Sequence, residues 1–291
     1  MTGLPWRGVA AGLVAVFCWA VYLAMSRAGV TGDGLHAADF AVLRFAPAGL
    51  LMLPLLLRRG IVDLGGLGWW RGLALTAFAG PAFILLAAGG YEFAPLAHGA
   101  VLQPATVTVM GATLAWLVLG ERPGLGQAVG VPLMLIGLVL VAGGGGAAIA
   151  GAWRGDLMFV GAGLLWAGFA LLLRRWKVEA WLATAVVSVL SALLVLPAFT
   201  LFVGFERLAA LPPTTLALQL LAQGVLSGVV AIWAFSLSVA LLGSARASLF
   251  PGLVPVSTVL IGIPLAGEWP LPIQIAGLAT VTFGLALAVR R

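Results

Sequence analysis

The residues able to do chemistry in this sequence are few, and their spacing points to binding more than to bond-making. Trp19, Tyr22 and Ser26 recur at i, i+3 and i+7, so on a helix they share one face, and Trp166 and Phe169 repeat the first of these spacings. Two such faces brought together would hold an apolar or aromatic group between them. Ordinary packing, or a place in the aromatic belt at a membrane surface, would use the same residues. Gln103 opens a stripe that continues through Thr106, Met110 and Thr113, while Gln219, Gln223 and Ser227 form another at i, i+4 and i+8. Among apolar neighbours these side chains need partners, supplied by a ligand or by another helix. Gln103 is expected in a cavity, the Gln219 stripe in helix packing or at a cavity entrance, and Thr184, Ser188 and Ser191 in packing.

Titratable candidates are scarcer. His98, with Glu92 near it in sequence, has the chemistry to titrate and gate a cavity, against the plainer reading of a polar residue at a helix start. Arg44 lies inside an apolar run and is read as structural, snorkelling outward or pairing with Asp39 or Asp33, in preference to binding a substrate carboxylate. All nine acidic residues fall in loops or near the ends of apolar runs. A glycine-rich phosphate loop with Lys-Ser/Thr is absent, and the 2 histidines and single Cys18 form no zinc cluster or catalytic triad, so no enzyme, metal or cofactor is expected.

The elements that must position these residues are membrane helices. Of 291 residues, 63% are hydrophobic and only 8% charged, with a mean hydropathy of +1.17, against roughly 25% charged residues in a soluble domain. No apolar run has the alternation of a barrel strand. The expected spans are 7–26, 38–57, 72–91, 96–119, 127–143, 156–173, 180–203, 215–240, 244–266 and 272–289, ten in all, with the Gly143–Gly146 run between the halves. The first span is read as a retained helix, not a signal peptide. A net charge of +6 would fit nucleic acid in a soluble protein, but here the basic residues stand in short clusters between spans. With the N-terminus in the cytoplasm, Arg7, Arg58, Arg59, Arg71, Arg122, Arg174, Arg175, Lys177, Arg246, Arg290 and Arg291 fall inside, and only Arg27, Arg154 and Arg207 outside. Both termini are therefore expected in the cytoplasm, the chain being multi-pass in an inner membrane.

The chain also repeats itself. At an offset of 147, Arg7-Gly8 meets Arg154-Gly155, Trp19-Ala20 meets Trp166-Ala167, Tyr22 meets Phe169, and Arg27 meets Arg174. Further along, Pro104 meets Pro251, Gly120-Glu121 meets Gly267-Glu268, Gln127 meets Gln274, and Gly130 and Gly137 meet Gly277 and Gly284. Residues 100–140 give thirteen identities, where composition alone would give roughly four. The expected fold is all-α and membrane-integral, with ten helices in two repeats, 1–146 and 147–291. An odd number of helices per repeat inverts the second relative to the first, the architecture of alternating-access transporters with a site near the midplane. Pro104 and Pro251 are expected to bend their helices, and the paired glycines to allow close helix contacts.

The segment Tyr91-Glu92-Phe93-Ala94-Pro95-Leu96-Ala97-His98-Gly99-Ala100-Val101-Leu102-Gln103-Pro104, leading to Leu119-Gly120-Glu121-Arg122, resembles the EamA domain of the drug/metabolite transporter superfamily. Gly243-Ser244-Ala245-Arg246-Ala247-Ser248-Leu249, Pro255 and Gly267-Glu268 resemble it again in the second half, and Leu43-Arg44-Phe45 looks like the family's early Arg-Phe element. The resemblance covers nearly the whole chain twice and implies a transporter of small molecules, most similar to bacterial exporters of metabolites and amino acids. The partners it implies are a small-molecule substrate and the lipid bilayer, with no nucleic acid, in a monomer or weak dimer. Trp19, Tyr22, Gln103, Trp166 and Phe169 are the residues expected to line the site. The embedded glutamate of the small multidrug antiporters is missing, so facilitated diffusion is expected. Multidrug or other metabolite efflux, with proton coupling, is the alternative.

Overall fold

A computed structural model of the chain describes residues 6–94, 96–120, 124–143, 151–266 and 272–289. The described residues of the first half form α1 (Trp6–Gly32), α2 (Ala37–Arg59), α3 (Trp69–Ala79), α4 (Pro81–Gly89), α5 (Leu96–Leu119) and α6 (Leu125–Gly143). Those of the second half form α7 (Trp153–Trp176), α8 (Ala180–Phe202), the short α9 (Glu206–Ala209), α10 (Pro213–Gln219), α11 (Ile232–Leu242), α12 (Ser244–Ala247), α13 (Val254–Ala266) and α14 (Pro272–Val289). Seven stretches among the described residues are long and apolar enough to cross a bilayer: Trp6–Gly32, Ala37–Arg59, Trp69–Glu92, His98–Leu119, Trp153–Trp176, Ala180–Phe202 and Pro213–Leu242. Shorter apolar helices cover Leu125–Gly137 and Ile275–Ala288. Of the family-like and charged positions, Pro95, Glu121, Arg122, Gly144–Gly146, Gly267, Glu268, Arg290 and Arg291 lie outside the described residues.

Three expected spans are less regular than their hydropathy implies, and each has a local cause or form. The third is interrupted at Gly80, after which Pro81 restarts the helix from its first turn, where a missing N–H costs nothing. The eighth winds as a π-helix over Leu220–Ala231 between α10 and α11, a rare geometry whose single-turn form is frequent at functional sites. The ninth passes through a single 3₁₀ turn, Phe250–Leu253, between α12 and α13. Pro251 sits in the first turn of that element, where a missing N–H is tolerated and the helix can restart. Its counterpart Pro104 stays inside a continuous α5.

Helices in lipid gain little from the hydrophobic effect, so close approach of backbones holds them together. A Cβ on Gly130 of α6 would lie 2.3 Å from the carbonyl oxygen of Gly284 in α14, and one on Gly137 would lie 2.6 Å from that of Gly277. Because the earlier glycine of α6 faces the later one of α14, the two helices run antiparallel. A third close approach seats the site: a Cβ on Gly163 of α7 would lie 2.5 Å from Thr106 Cβ and 2.8 Å from the Gln103 carbonyl oxygen. This draws α5 onto α7 at the level of Gln103.

Ion pairs tie the first half to the second at both ends of the bundle. Where α1 gives way to α2, fully buried Asp39 accepts from Arg207 at 2.6 Å and from the His36 N–H at 2.8 Å. At the same end His98 Nδ1 stands 2.8 Å from Asp156 Oδ1. At the opposite end Arg59 and Glu179 meet at 2.8 Å, with both side chains nearly half exposed. Such an exposed pair contributes about 0–1 kcal/mol and is screened by salt.

Candidate functional site

Trp19 of α1 and Trp166 of α7 meet with ring centroids 5.4 Å apart and planes at 86°. An edge-to-face pair of this kind is worth about 0.5–1.5 kcal/mol beyond the area it buries. Both rings are buried, at 8% and 2% exposure, so neither sits in an interfacial belt. Phe83 approaches Trp166 to 4.8 Å, and Phe235 stands 5.2 Å from Trp19 and 5.6 Å from Trp166. Phe169, expected in the site, packs behind Trp166 at 5.2 Å.

The space beside this cluster is lined by Trp19 and Trp166, by Pro104 and Pro251, and by Val107 and Val254. Each pair is 147 residues apart, so three sets of equivalent positions from the two halves meet around one cavity. Tyr22, Leu23, Phe83 and Gln103 complete the wall. The cavity measures about 30 Å³, where a single water needs roughly 10–15 Å³ on this measure. It has room for a water or two, and a larger guest requires the rings to part.

Two buried polar atoms in this wall have no hydrogen-bond partner, Gln103 Oε1 and Trp166 Nε1, and the Tyr22 hydroxyl beside them reaches the Ser26 hydroxyl. Leaving such a group unsatisfied costs about 1–3 kcal/mol, so the two together mark a place that a polar guest would stabilise. The indole N–H only donates, the phenol both donates and accepts, and the Gln103 amide presents either an acceptor or a donor by rotating. The halves are unequal in this respect. Where the first half has Tyr22 and Gln103, the equivalent positions of the second hold Phe169 and Phe250. Apart from the Trp166 N–H, polarity comes from the first half, and the second is an apolar wall.

The other candidates are placed elsewhere. Thr106 and Thr113 bond the carbonyls of Leu102 and Val109 within α5. The Gln219 stripe joins helices: Gln219 donates to the Met25 carbonyl, Gln223 to Ser26 Oγ, and Ser227 accepts from Arg44. Thr184 bonds the Ala180 carbonyl and Ser188 the Gly228 carbonyl, both as packing. His98 and Glu92 do not line the cavity and do not meet. His98 faces Asp156, whereas Glu92 accepts from the Ala37 N–H at 2.9 Å and stands 3.5 Å from His36.

Arg44 departs from its expected surroundings. It neither snorkels nor pairs with Asp39, which is taken by Arg207; its side chain is fully buried. One Nη donates to Ser227 Oγ, while Nε and the other Nη have no acceptor. The guanidinium carbon stands 5.7 Å from the ring centroids of Tyr22 and Phe45 and 5.9 Å from that of Phe83. Such contacts return about 0.5–2 kcal/mol each, against a desolvation cost of several kcal/mol for a buried ion. Tyr22 and Phe83 thus face the cavity on one side and Arg44 on the other. Val107 and Val254 carry the 147-residue signal and were within reach of the sequence; nothing in the pattern singles out Phe83 or Leu23.

The sequence model of the EamA-like transporter family matches residues 6–143 and again 153–290. No curated protein matches the chain. Among solved structures 29 chains match. One of them, described as "Crystal structure of protein", superposes with a TM-score of 0.75 over 97% of this chain and 97% of its own, at 19% identity. That likeness is one of fold.

Proposed function

The chain belongs to the EamA-like transporter family, and we propose that it exports amino acids, aromatic or apolar ones among them, or related small metabolites by alternating access. In this reading ten helices form two repeats, 1–146 and 147–291, inserted in opposite senses in a bacterial inner membrane with both termini in the cytoplasm. The antiparallel packing of α6 on α14, which carry equivalent glycines, supports the inversion. The observation that carries the site is the cavity walled by Trp19 and Trp166, Pro104 and Pro251, and Val107 and Val254. Equivalent positions of two inverted halves converge only near the axis relating them, which is where a site must lie to face each side of the membrane in turn.

An apolar side chain fits between the indoles, and the orphaned groups of Gln103 and Trp166, with the Tyr22 hydroxyl beside them, take the polar end of the same molecule. The break at Pro251 and the proline inside α5 give the two cavity-lining helices places to bend. No Asp or Glu among the described residues lines the cavity, so flux follows the substrate's own gradient, outward for a metabolite made in the cytoplasm. Efflux of apolar cations is the rival. It would place a positive charge within one ring's width of Arg44, with no carboxylate in the wall to balance it. Flux of radiolabelled amino acids in liposomes carrying the purified protein tests the reading. Saturable flux of at least one amino acid is expected, and no saturable flux of any of them would reject it.

A further inference from the structure

From the surroundings of Arg44, and resting on the proposed substrate cavity, we infer that the transported molecule carries a carboxylate and that Arg44 is its counter-ion. A guanidinium has five N–H donors in a fixed fork that matches the two oxygens of a carboxylate. Here the fork is fully buried, and among the described residues its only acceptor is the neutral Ser227 hydroxyl. The carboxylates of the described residues are committed or distant. Asp39 belongs to Arg207, Asp156 to His98, Glu92 to His36 and the Ala37 N–H, and Glu179 to Arg59. Asp33 and Asp63 lie in connecting segments and Glu206 at the start of the short α9, all outside α2. A permanently charged side chain buried in this way, with two nitrogens unpaired, is explained by an anion that comes and goes.

The geometry also says from where. Tyr22 and Phe83 are the two residues that line the cavity and pack against the guanidinium. When these rings part to admit a guest, the fork opens on the cavity. The carboxylate then receives Nε and Nη of Arg44 with the Tyr22 hydroxyl beside them. Gln103 lies on the same wall to accept from an ammonium group, and the side chain points toward Trp19, Trp166 and the phenylalanines of the second half. The charge is one-sided by sequence as well: the position equivalent to Arg44 in the second half is Ser191, which is neutral. Arg44 is therefore not repeated in the second half, and its charge stands behind one wall only of a common cavity.

The test compares four molecules that share one ring: phenylalanine, its amide, phenethylamine and 3-phenylpropionate. Each competes with the best-transported radiolabelled amino acid for flux in liposomes carrying the full chain. The two carboxylates are expected to compete at concentrations roughly a hundredfold or more below the amide and amine, the order set by a charge-assisted pair in a desolvated site. In Arg44→Gln, at equal protein in the vesicles, the carboxylates should lose that advantage while the amide competes as before. Equal competition by amine and acid in the wild type overturns the inference and leaves the cavity standing. Absence of saturable flux for any amino acid instead removes the reading it rests on. If Arg44→Gln does not assemble, the wild-type series alone decides.

Discussion

Trp19 and Trp166, the same position in the two halves of the chain, touch edge to face at 5.4 Å. Residues related by a two-fold meet each other only beside its axis. The contact therefore locates the place where the proposed inverted halves exchange roles, and the cavity adjoins it.

Trp166→Phe removes the edge-to-face partner while keeping a ring. Half-maximal flux is expected at a substrate concentration about 2–10-fold higher, the value of one indole contact with a bound aromatic guest, with vesicle content of the protein unchanged. Trp166→Ala is a harsher probe, because emptying a core site of this size costs roughly 3–5 kcal/mol of stability as well. Kinetics of both variants, normalised to inserted protein, provide the check.

Gly137→Ala forces a methyl group to within 2.6 Å of a carbonyl oxygen in α14. Overpacking of this kind costs about 1–3 kcal/mol, so thermal unfolding in detergent should begin at lower temperature than in the wild type. Gly32→Ala is the control, since its added methyl group meets nothing within 4 Å. An unchanged melting temperature for Gly137→Ala would contradict the α6–α14 contact.

Most of this was legible before any coordinates, because a repeat writes its own constraints. The offset that aligns Trp19 with Trp166 also pairs Pro104 with Pro251 and Gly130 with Gly277, and these positions reappear at the cavity and at the α6–α14 contact. What depended on three-dimensional neighbours was not legible. Helical periodicity can show that Phe169 shares a face with Trp166, but not that the face is wide enough for Phe169 to fall behind it. Asp39 and Arg44 are near in sequence, yet Asp39 finds Arg207, on the short α9 168 residues away. The same is true of His98, whose partner Asp156 comes from the other half. Hydropathy marks a span without showing where its hydrogen bonds shift, so the π-helix of Leu220–Ala231 left no trace in the sequence.

Topology is open to a direct experiment. With eleven basic residues on the cytoplasmic side of the expected spans, alkaline phosphatase fused after Arg291 should be inactive. Inserted in the α1–α2 connection at Gly34, it should be active. The opposite pattern would reverse the assigned orientation.

Energy coupling is the next question. Among the described groups His98 is tied to Asp156 at one end of the bundle and lines no cavity. Substrate flux should therefore be the same in liposomes with and without an imposed pH gradient, and His98→Ala should not change that independence. Accumulation of substrate against its own gradient, driven by the proton gradient alone, would contradict facilitated diffusion.

Counterflow tests the central claim most directly, because only a site that faces each side in turn couples opposite fluxes. Liposomes preloaded with an unlabelled amino acid should take up the labelled one faster than empty liposomes, and Trp19→Ala or Trp166→Ala should abolish the acceleration. Uptake that is linear in concentration and indifferent to preloading, or counterflow unchanged in both tryptophan variants, would contradict alternating access through this cavity.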